Sequence, residues 1–323
     1  MFDFNAQKMR SLLYRNIRNF FDKRNYLEVF TPTLSDTLIP EPTIQNFKTE
    51  FINEFVGSKE FYMIPSPEIF MKTLLANGSG SIYEISSCFR NSEQLGDVHN
   101  PEFTMLEYYS VGYDEKDSIK LTEELIKEVA LPGTPDHVLP PFITMSVNEA
   151  MMKFAGVDLE KCQDPAKLRS EAERLGLYVP SKEPWDDTFN RIFINFVETN
   201  LPKEHPVVLT DYPYQIDCLA KRKRGTFYRQ RWEMYIAGVE IANCYNEETD
   251  KETTRIYYEK EYQRLVRERS ESNLPIPDIS TTFPELDIPP SSGVAIGLDR
   301  LLMVMLGKTE IAPLLLFPLS DMM

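Results

Sequence analysis

Apolar residues recur along this chain with two periods, and the switches between them lay out its elements. Between residues 8 and 24, Met9, Leu12, Leu13, Ile17, Phe20 and Phe21 fall on one face of a helix. The segment through Pro32 reads as an edge strand running into a loop. Strands are predicted at 61–64, 81–88 and 103–111, where apolar, β-forming residues gather. A short helix over 67–76 separates the first two and is stopped by Asn77-Gly78. Another helix follows at 118–129, then a proline-rich linker at 131–141. Ser146 and Glu149 make a capping box. Asp164-Pro165 opens a further helix that Gly176 ends. Residues 187–200 carry a third, with Phe189, Ile192, Phe193 and Phe196 as its buried stripe. Strands return at 206–211, 231–237 and 239–244, followed by a charged helix at 253–269 and a proline-rich loop to Pro290.

Composition narrows the picture. A chain of 323 residues, 42% hydrophobic, can bury one large core or two small ones. The net charge of −15 is a poor footprint for nucleic acid. The one basic run, Lys221-Arg222-Lys223-Arg224, reads as a solvated loop. The four cysteines, Cys88, Cys162, Cys218 and Cys244, show no metal-ligand spacing, and the three histidines are dispersed, which argues against zinc or a disulfide framework. The N-terminal stretch is charged and amphipathic, unlike a signal peptide, and no apolar run approaches the roughly 18 residues of a membrane span. A cytoplasmic location with no membrane partner is expected.

Two distant segments carry the chemistry. One is Phe89-Arg90-Asn91-Ser92-Glu93, followed by His99-Asn100-Pro101-Glu102-Phe103-Thr104-Met105-Leu106-Glu107. The other is Gly293-Val294-Ala295-Ile296-Gly297-Leu298-Asp299-Arg300. Each holds an arginine beside a strand-like run or at the opening of an apolar helix. A planar guanidinium fixed in such a place suits phosphate oxygens. Two of them with acids nearby point to a nucleoside triphosphate and its magnesium.

These segments resemble motifs 2 and 3 of the class II aminoacyl-tRNA synthetases, in wording nearest the lysyl branch. The helix before Phe21 with Leu27-Glu28-Val29-Phe30-Thr31-Pro32 resembles motif 1, and Ser66-Pro67-Glu68 and Gly238-Val239-Glu240-Ile241-Ala242-Asn243 also match. The resemblance runs from about residue 8 to about 310. Motif 1 begins almost at Met1 and little chain follows Arg300, which leaves no room for an anticodon-binding domain. That pattern is similar to the elongation factor P–(R)-β-lysine ligase family, a truncated paralogue of lysyl-tRNA synthetase. The resemblance implies an α+β fold with a central antiparallel sheet flanked by helices. It implies one catalytic domain over 1–323 with a helical insertion at about 113–204, and a homodimer through residues 8–35.

It also implies carboxylate activation: lysine or (R)-β-lysine attacks the α-phosphate of ATP, with magnesium present, and the acyl group passes to a lysine of elongation factor P. Such a reaction needs no protein nucleophile, only two anions held in line with their charge offset. By the resemblance Arg90 bridges α-phosphate and substrate carboxylate, Phe103 stacks on adenine, and Arg300 covers its other face near the γ-phosphate. Asn91, Ser92, His99, Asn100, Glu240, Ile241 and Gly297 complete the ATP site. Glu233 and Glu240 hold the magnesium, and being seven apart they converge only if Gly238 turns the chain between two strands. Glu107, Tyr109, Asn243, Tyr245 and Glu247 surround the side-chain ammonium, and Ser66 and Glu68 the other amine. Three inward carboxylates imply a dicationic substrate.

Ala295 stands where lysyl-tRNA synthetases have glycine and the ligases alanine, a difference compatible with an amine moved to the β carbon. Asp97-Val98 replaces the arginine that usually precedes His-Asn, in a loop over 92–98 that is one residue longer than usual. Cys244 and Tyr245 stand where glycine and phenylalanine are usual. The alternative reading, lysine-specific aminoacylation of tRNA by a truncated lysyl-tRNA synthetase, is disfavoured by the acidic balance.

Overall fold

A computed structural model describes residues 3–92, 96–272 and 274–322. The first helix, α1 (Phe4–Asp22), starts earlier than its apolar stripe requires, because Asp3 accepts hydrogen bonds from the Asn5 and Ala6 amides, each at 2.9 Å, and caps it. There follow β1 (Leu27–Glu28), β2 (Leu34–Ser35), β3 (Lys48–Asn53), β4 (Gly57–Met63), α2 (Glu68–Ala76), β5 (Ile82–Phe89) and β6 (Glu102–Val111). The middle of the chain supplies α3 (Glu115–Val129), β7 (Ile143–Ser146), α4 (Val147–Ala155), α5 (Pro165–Arg174) and α6 (Trp185–Ile192). The last part supplies β8 (Val207–Pro213), β9 (Tyr228–Ile236), β10 (Val239–Asn246), α7 (Lys251–Ser272), β11 (Ser291–Gly297) and α8 (Leu298–Met305).

Eight strands make one sheet in the order β1-β5-β6-β11-β10-β9-β8-β7. Its inner pairs are antiparallel, and helices flank it, so the expected α+β architecture holds. The sheet is mixed rather than wholly antiparallel. The outermost strands β1 and β7 pair in parallel with β5 and β8, because long connections containing helices separate them in sequence.

Period-two alternation splits the central strands cleanly. Leu106 and Tyr108 of β6, Ala242 and Cys244 of β10, and Val294 and Ile296 of β11 point into a core closed by α1, α3 and α8. There Phe21 stacks on Tyr83 with ring centroids 4.6 Å apart. The intervening residues Glu107, Tyr109, Asn243, Tyr245 and Ala295 face the other side, and that side carries the site.

Three elements differ from expectation. The segment 113–204 is not only helical, since β7 within it extends the main sheet. The third helix of that segment begins at Trp185 and passes into a π turn over Phe193–Val197. A separate three-stranded sheet, β2-β4-β3, was anticipated only at 61–64, because β3 and most of β4 are exposed and show no apolar face to read. The capping boxes and turns behave as read: Ser146 and Glu149 cap α4 reciprocally, and Asp164 caps α5. Lys223 of the basic run pairs with Glu115 at 2.7 Å and with Asp211, and its neighbours are exposed. Among the described residues no helix is long and apolar enough to cross a membrane.

Candidate active site

Strand register builds the site in rows. Glu107 of β6, Ala295 of β11, Asn243 of β10 and Glu233 of β9 are consecutive cross-strand partners. Tyr109, Gly293, Tyr245 and Arg231 form the adjacent row. Residues up to 188 positions apart in sequence thus become neighbours roughly 5 Å apart, the spacing between paired strands.

At one end of these rows lies a cavity of about 390 Å³ lined by Arg90, His99, Asn100, Phe103, Glu240, Ile241, Gly297 and Arg300. The Arg90 guanidinium lies 5.2 Å from the centroid of Phe103, and its buried Nε has no hydrogen-bond partner among the described residues, which suits an anion. Arg300 opens α8 and is held from three sides. Its Nε donates to the Val98 carbonyl at 3.1 Å, Nη1 to the Glu240 carbonyl at 3.0 Å, and Nη2 to His99 Nε2 at 2.7 Å. Beside it Asp299 accepts from the Thr104 amide at 2.7 Å and pairs with Arg10 of α1 at 2.6 Å. Asn100 fixes the chain after the loop through the Glu102 carbonyl and the Leu319 amide. Asn91 and Ser92, expected here, do not line this cavity. Both are exposed and bonded to Gln45, at 2.8 and 2.9 Å. Glu93, Gln94 and Leu95 of the longer loop lie outside the described residues.

Glu233 and Glu240 do share a face. Ala237 and Gly238, both with positive φ, turn β9 tightly into β10. The two carboxylates differ in state. Glu233 accepts from Tyr212, Tyr235 and Arg231 at 2.5, 2.6 and 2.6 Å. Glu240 keeps 43% of its side chain open to the cavity, and enclosure together with repulsion from Glu233 pushes its carboxyl up to about 7. Of the expected pair only Glu240 lines the cavity, where a carboxylate suits a divalent cation that takes its other ligands from phosphate; Glu233 is buried outside that lining and already paired with Arg231. Among the described residues no cluster of three acidic, histidine or cysteine side chains offers an all-protein metal site.

All eight residues expected around the amino acid, Ser66, Glu68, Glu107, Tyr109, Asn243, Tyr245, Glu247 and Ala295, line one adjoining cavity. Glu107 accepts from Ser66 Oγ at 2.6 Å and from Tyr109 Oη at 2.7 Å, and burial with nearby Glu68 lifts it to about 8. Burial lifts Glu247 to about 7.

The pocket's acids are not all uncompensated, as three inward carboxylates had implied. Lys72, 1% exposed, sets its ammonium 2.5 Å from Glu68 and 2.6 Å from Glu247. Burial alone would lower its pKa, but the two carboxylates overcome that and hold it above the ordinary range. Two of the three expected carboxylates therefore already have a cation. Glu41 adds a fourth acid to the lining, pushed up to about 7 by burial and by Glu68. The pocket remains acidic, but three uncompensated carboxylates do not by themselves set the substrate's charge.

Sequence reading missed four residues. Lys72 was legible as an i,i+4 partner of Glu68 on α2. Gly293 lies between Tyr109 and Tyr245, where a Cβ would collide with the Tyr109 ring and the Glu247 carboxylate. Arg231 links the two halves, donating to Glu233 and, at 3.2 Å, to Asn243. Glu41 lies in a loop with no pattern to reveal it.

A model of the class II tRNA synthetases (D, K and N) matches residues 4–321. Elongation factor P–(R)-β-lysine ligase of Vibrio vulnificus (strain YJ016) is 33% identical over 316 residues, covering 96% of this chain and 94% of that protein. The ligase of the same name from Proteus mirabilis (strain HI4320) is 33% identical over 316 residues, 96% and 93% of the two chains. Lysine–tRNA ligase of Carboxydothermus hydrogenoformans is 32% identical over 322 residues, 96% of this chain but 64% of its own length.

Proposed function

The chain belongs to the class II tRNA synthetases (D, K and N) and is an ATP-dependent ligase, and from that premise we propose that it activates (R)-β-lysine or lysine as an adenylate and transfers it to a lysine side chain of elongation factor P. The observation that carries this reading is the junction of two cavities. An acidic pocket containing all eight expected substrate residues meets, at Arg90 and Ala295, the cavity of Phe103 and Arg300.

In this reading the substrate carboxylate attacks the α-phosphorus of ATP, and pyrophosphate leaves. Arg90 offsets the charge of both anions through its unpartnered side. Arg300, immobilised by three acceptors, presents a preorganised positive charge that needs no reorganisation during reaction. Of the expected pair Glu240 would hold magnesium, which supplies charge neutralisation to the phosphates, while Glu233 stays paired with Arg231. Glu107, with Tyr109 and Ser66, orients the side-chain ammonium, and Glu68 the other amine. The acceptor amine then displaces AMP. Ala295 puts a methyl group between Glu107 and Asn243, and that volume is what favours a β- over an α-amine.

Elongation factor P is favoured over tRNA because the named ligases match along 94% and 93% of their length. We also propose a two-fold dimer through residues 8–35, supported by exposed Leu27 (55%), Phe30 (82%) and Leu34 (41%).

The test is to incubate the protein with ATP and each lysine isomer, offering elongation factor P or bulk tRNA, and to read mass shifts. A gain of one lysyl group on elongation factor P is expected. Charging of tRNA without modification of that protein overturns the assignment in favour of a lysine–tRNA ligase.

A further inference from the structure

A second acidic cavity, of about 270 Å³, opens beside the amino acid pocket and shares Glu41, Glu68 and Tyr245 with it. Its carboxylates are Glu41, Glu68, Asp186, Asp187, Asp217 and Glu261, against the arginines Arg231 and Arg264. Four of the six have a cation. Asp186 and Asp187 pair with Arg264 at 3.0 and 3.9 Å, Asp217 with Arg229 at 3.3 Å and with Lys260, and Glu68 with Lys72.

Glu261 and Glu41 have no ion-pair partner among the described residues. Glu261 of α7 is only 5% exposed, and its Oε1 has no hydrogen-bond partner. A buried carboxylate without a partner is costly, and its usual remedy is a cation. The two are close enough to interact: the Glu261 charge helps to raise the Glu41 carboxyl, and burial with Asp217 nearby lifts Glu261 itself to about 7. Among the described residues no three-ligand metal cluster exists, so an ammonium fits better than a metal ion. The remaining wall includes Ile39, Ile216 and Leu219, apolar surface for a methylene stem.

We propose that this cavity receives the alkylammonium side chain of the acceptor, held between Glu261 and Glu41, with Glu41 on the shared wall as the group that takes its proton. The proposal rests on the ligase reading above. The acceptor R–NH3+ passes one proton to the Glu41 carboxylate. The freed lone pair forms the amide bond to the adenylate carbonyl, the carbonyl–phosphate C–O bond breaks, and its electron pair leaves with AMP. The amine's second proton goes to solvent.

Two variants test it: Glu261→Gln, which is isosteric, and Asn190→Lys, which places a competing cation from an exposed position on the cavity lining, so that the fold is not at stake. Three rates are read for each: lysine-dependent pyrophosphate exchange, charging of elongation factor P, and capture of the adenylate by hydroxylamine, which is neutral at pH 7. Exchange and hydroxylamine capture within twofold of wild type, with charging reduced tenfold or more, is the expected result. Wild-type charging rates in both variants, or an equal fall in hydroxylamine capture, overturn the proposal. Wild-type protein that exchanges no pyrophosphate, or charges no elongation factor P, overturns the parent reading and this proposal with it.

Discussion

The ammonium of Lys72 lies 2.6 Å from Oε2 of Glu247, both side chains 2% exposed, beneath the pocket expected to bind a cationic amino acid. Removing one partner of a buried pair leaves the other uncompensated and costs about 3–5 kcal/mol. Lys72→Met is therefore expected to lose about that much stability in urea unfolding. The double variant Lys72→Met/Glu247→Gln should recover part of it. A single variant as stable as wild type would show that the pair contributes nothing.

Lysine affinity should rise with pH between about 6 and 8. Burial holds Glu107 at about 8, so the empty pocket retains a proton that an entering ammonium must displace, whereas Glu247 is already paired with Lys72. The sign for stability is opposite. A folded value above the ordinary 4.5 means that Glu107 binds more proton in the folded protein than in the unfolded chain across that interval, so the substrate-free protein loses stability as pH rises. Thermal unfolding with and without lysine at pH 6 and pH 8 checks both. A lysine-induced shift larger at pH 6 would contradict the ionisation scheme.

Arg300→Ala should lower lysine-dependent pyrophosphate exchange by about 10²–10³-fold, the usual effect of removing one preorganised charge stabiliser. Its three hydrogen bonds also tie Val98, His99 and Glu240 together, so some loss of ATP affinity should accompany the rate. Near-normal exchange would remove Arg300 from the reaction.

Gly293→Ala should abolish lysine binding and spare ATP. A methyl group there meets the Tyr109 ring and the Glu247 carboxylate, both lining the amino acid pocket, whereas Gly293 does not line the ATP cavity. Calorimetric titration with each ligand separates the two affinities. Equal loss of both would mean that the sheet itself had been disturbed.

The sequence by itself determined most of the central strands and which residues of the acidic pocket lie together. Alternation along 103–111 and 239–244 sorts Leu106, Tyr108, Ala242 and Cys244 from Glu107, Tyr109 and Asn243, because side chains on a strand point alternately to two faces. The hairpin at Gly238, without which Glu233 and Glu240 could not share a face, is found. The position of β7 at the sheet edge did not follow from the sequence, because a four-residue strand amid helices carries too little pattern. Of the sheet β2-β4-β3 only 61–64 followed, since β3 and the first part of β4 are exposed and show no apolar face.

Only the tertiary structure decided which charges meet. The spacing of Lys72 from Glu68 could suggest that one pair, yet only the packing of α2 against the sheet takes its stem inside and its ammonium to Glu247, 175 residues further along the chain. Glu41 and Glu261, 220 positions apart, come within electrostatic reach only because α7 and the loop after β2 enclose one cavity. Periodicity reports the direction a side chain takes from its own element. Which partner waits there depends on how distant elements pack, and local pattern carries no record of that.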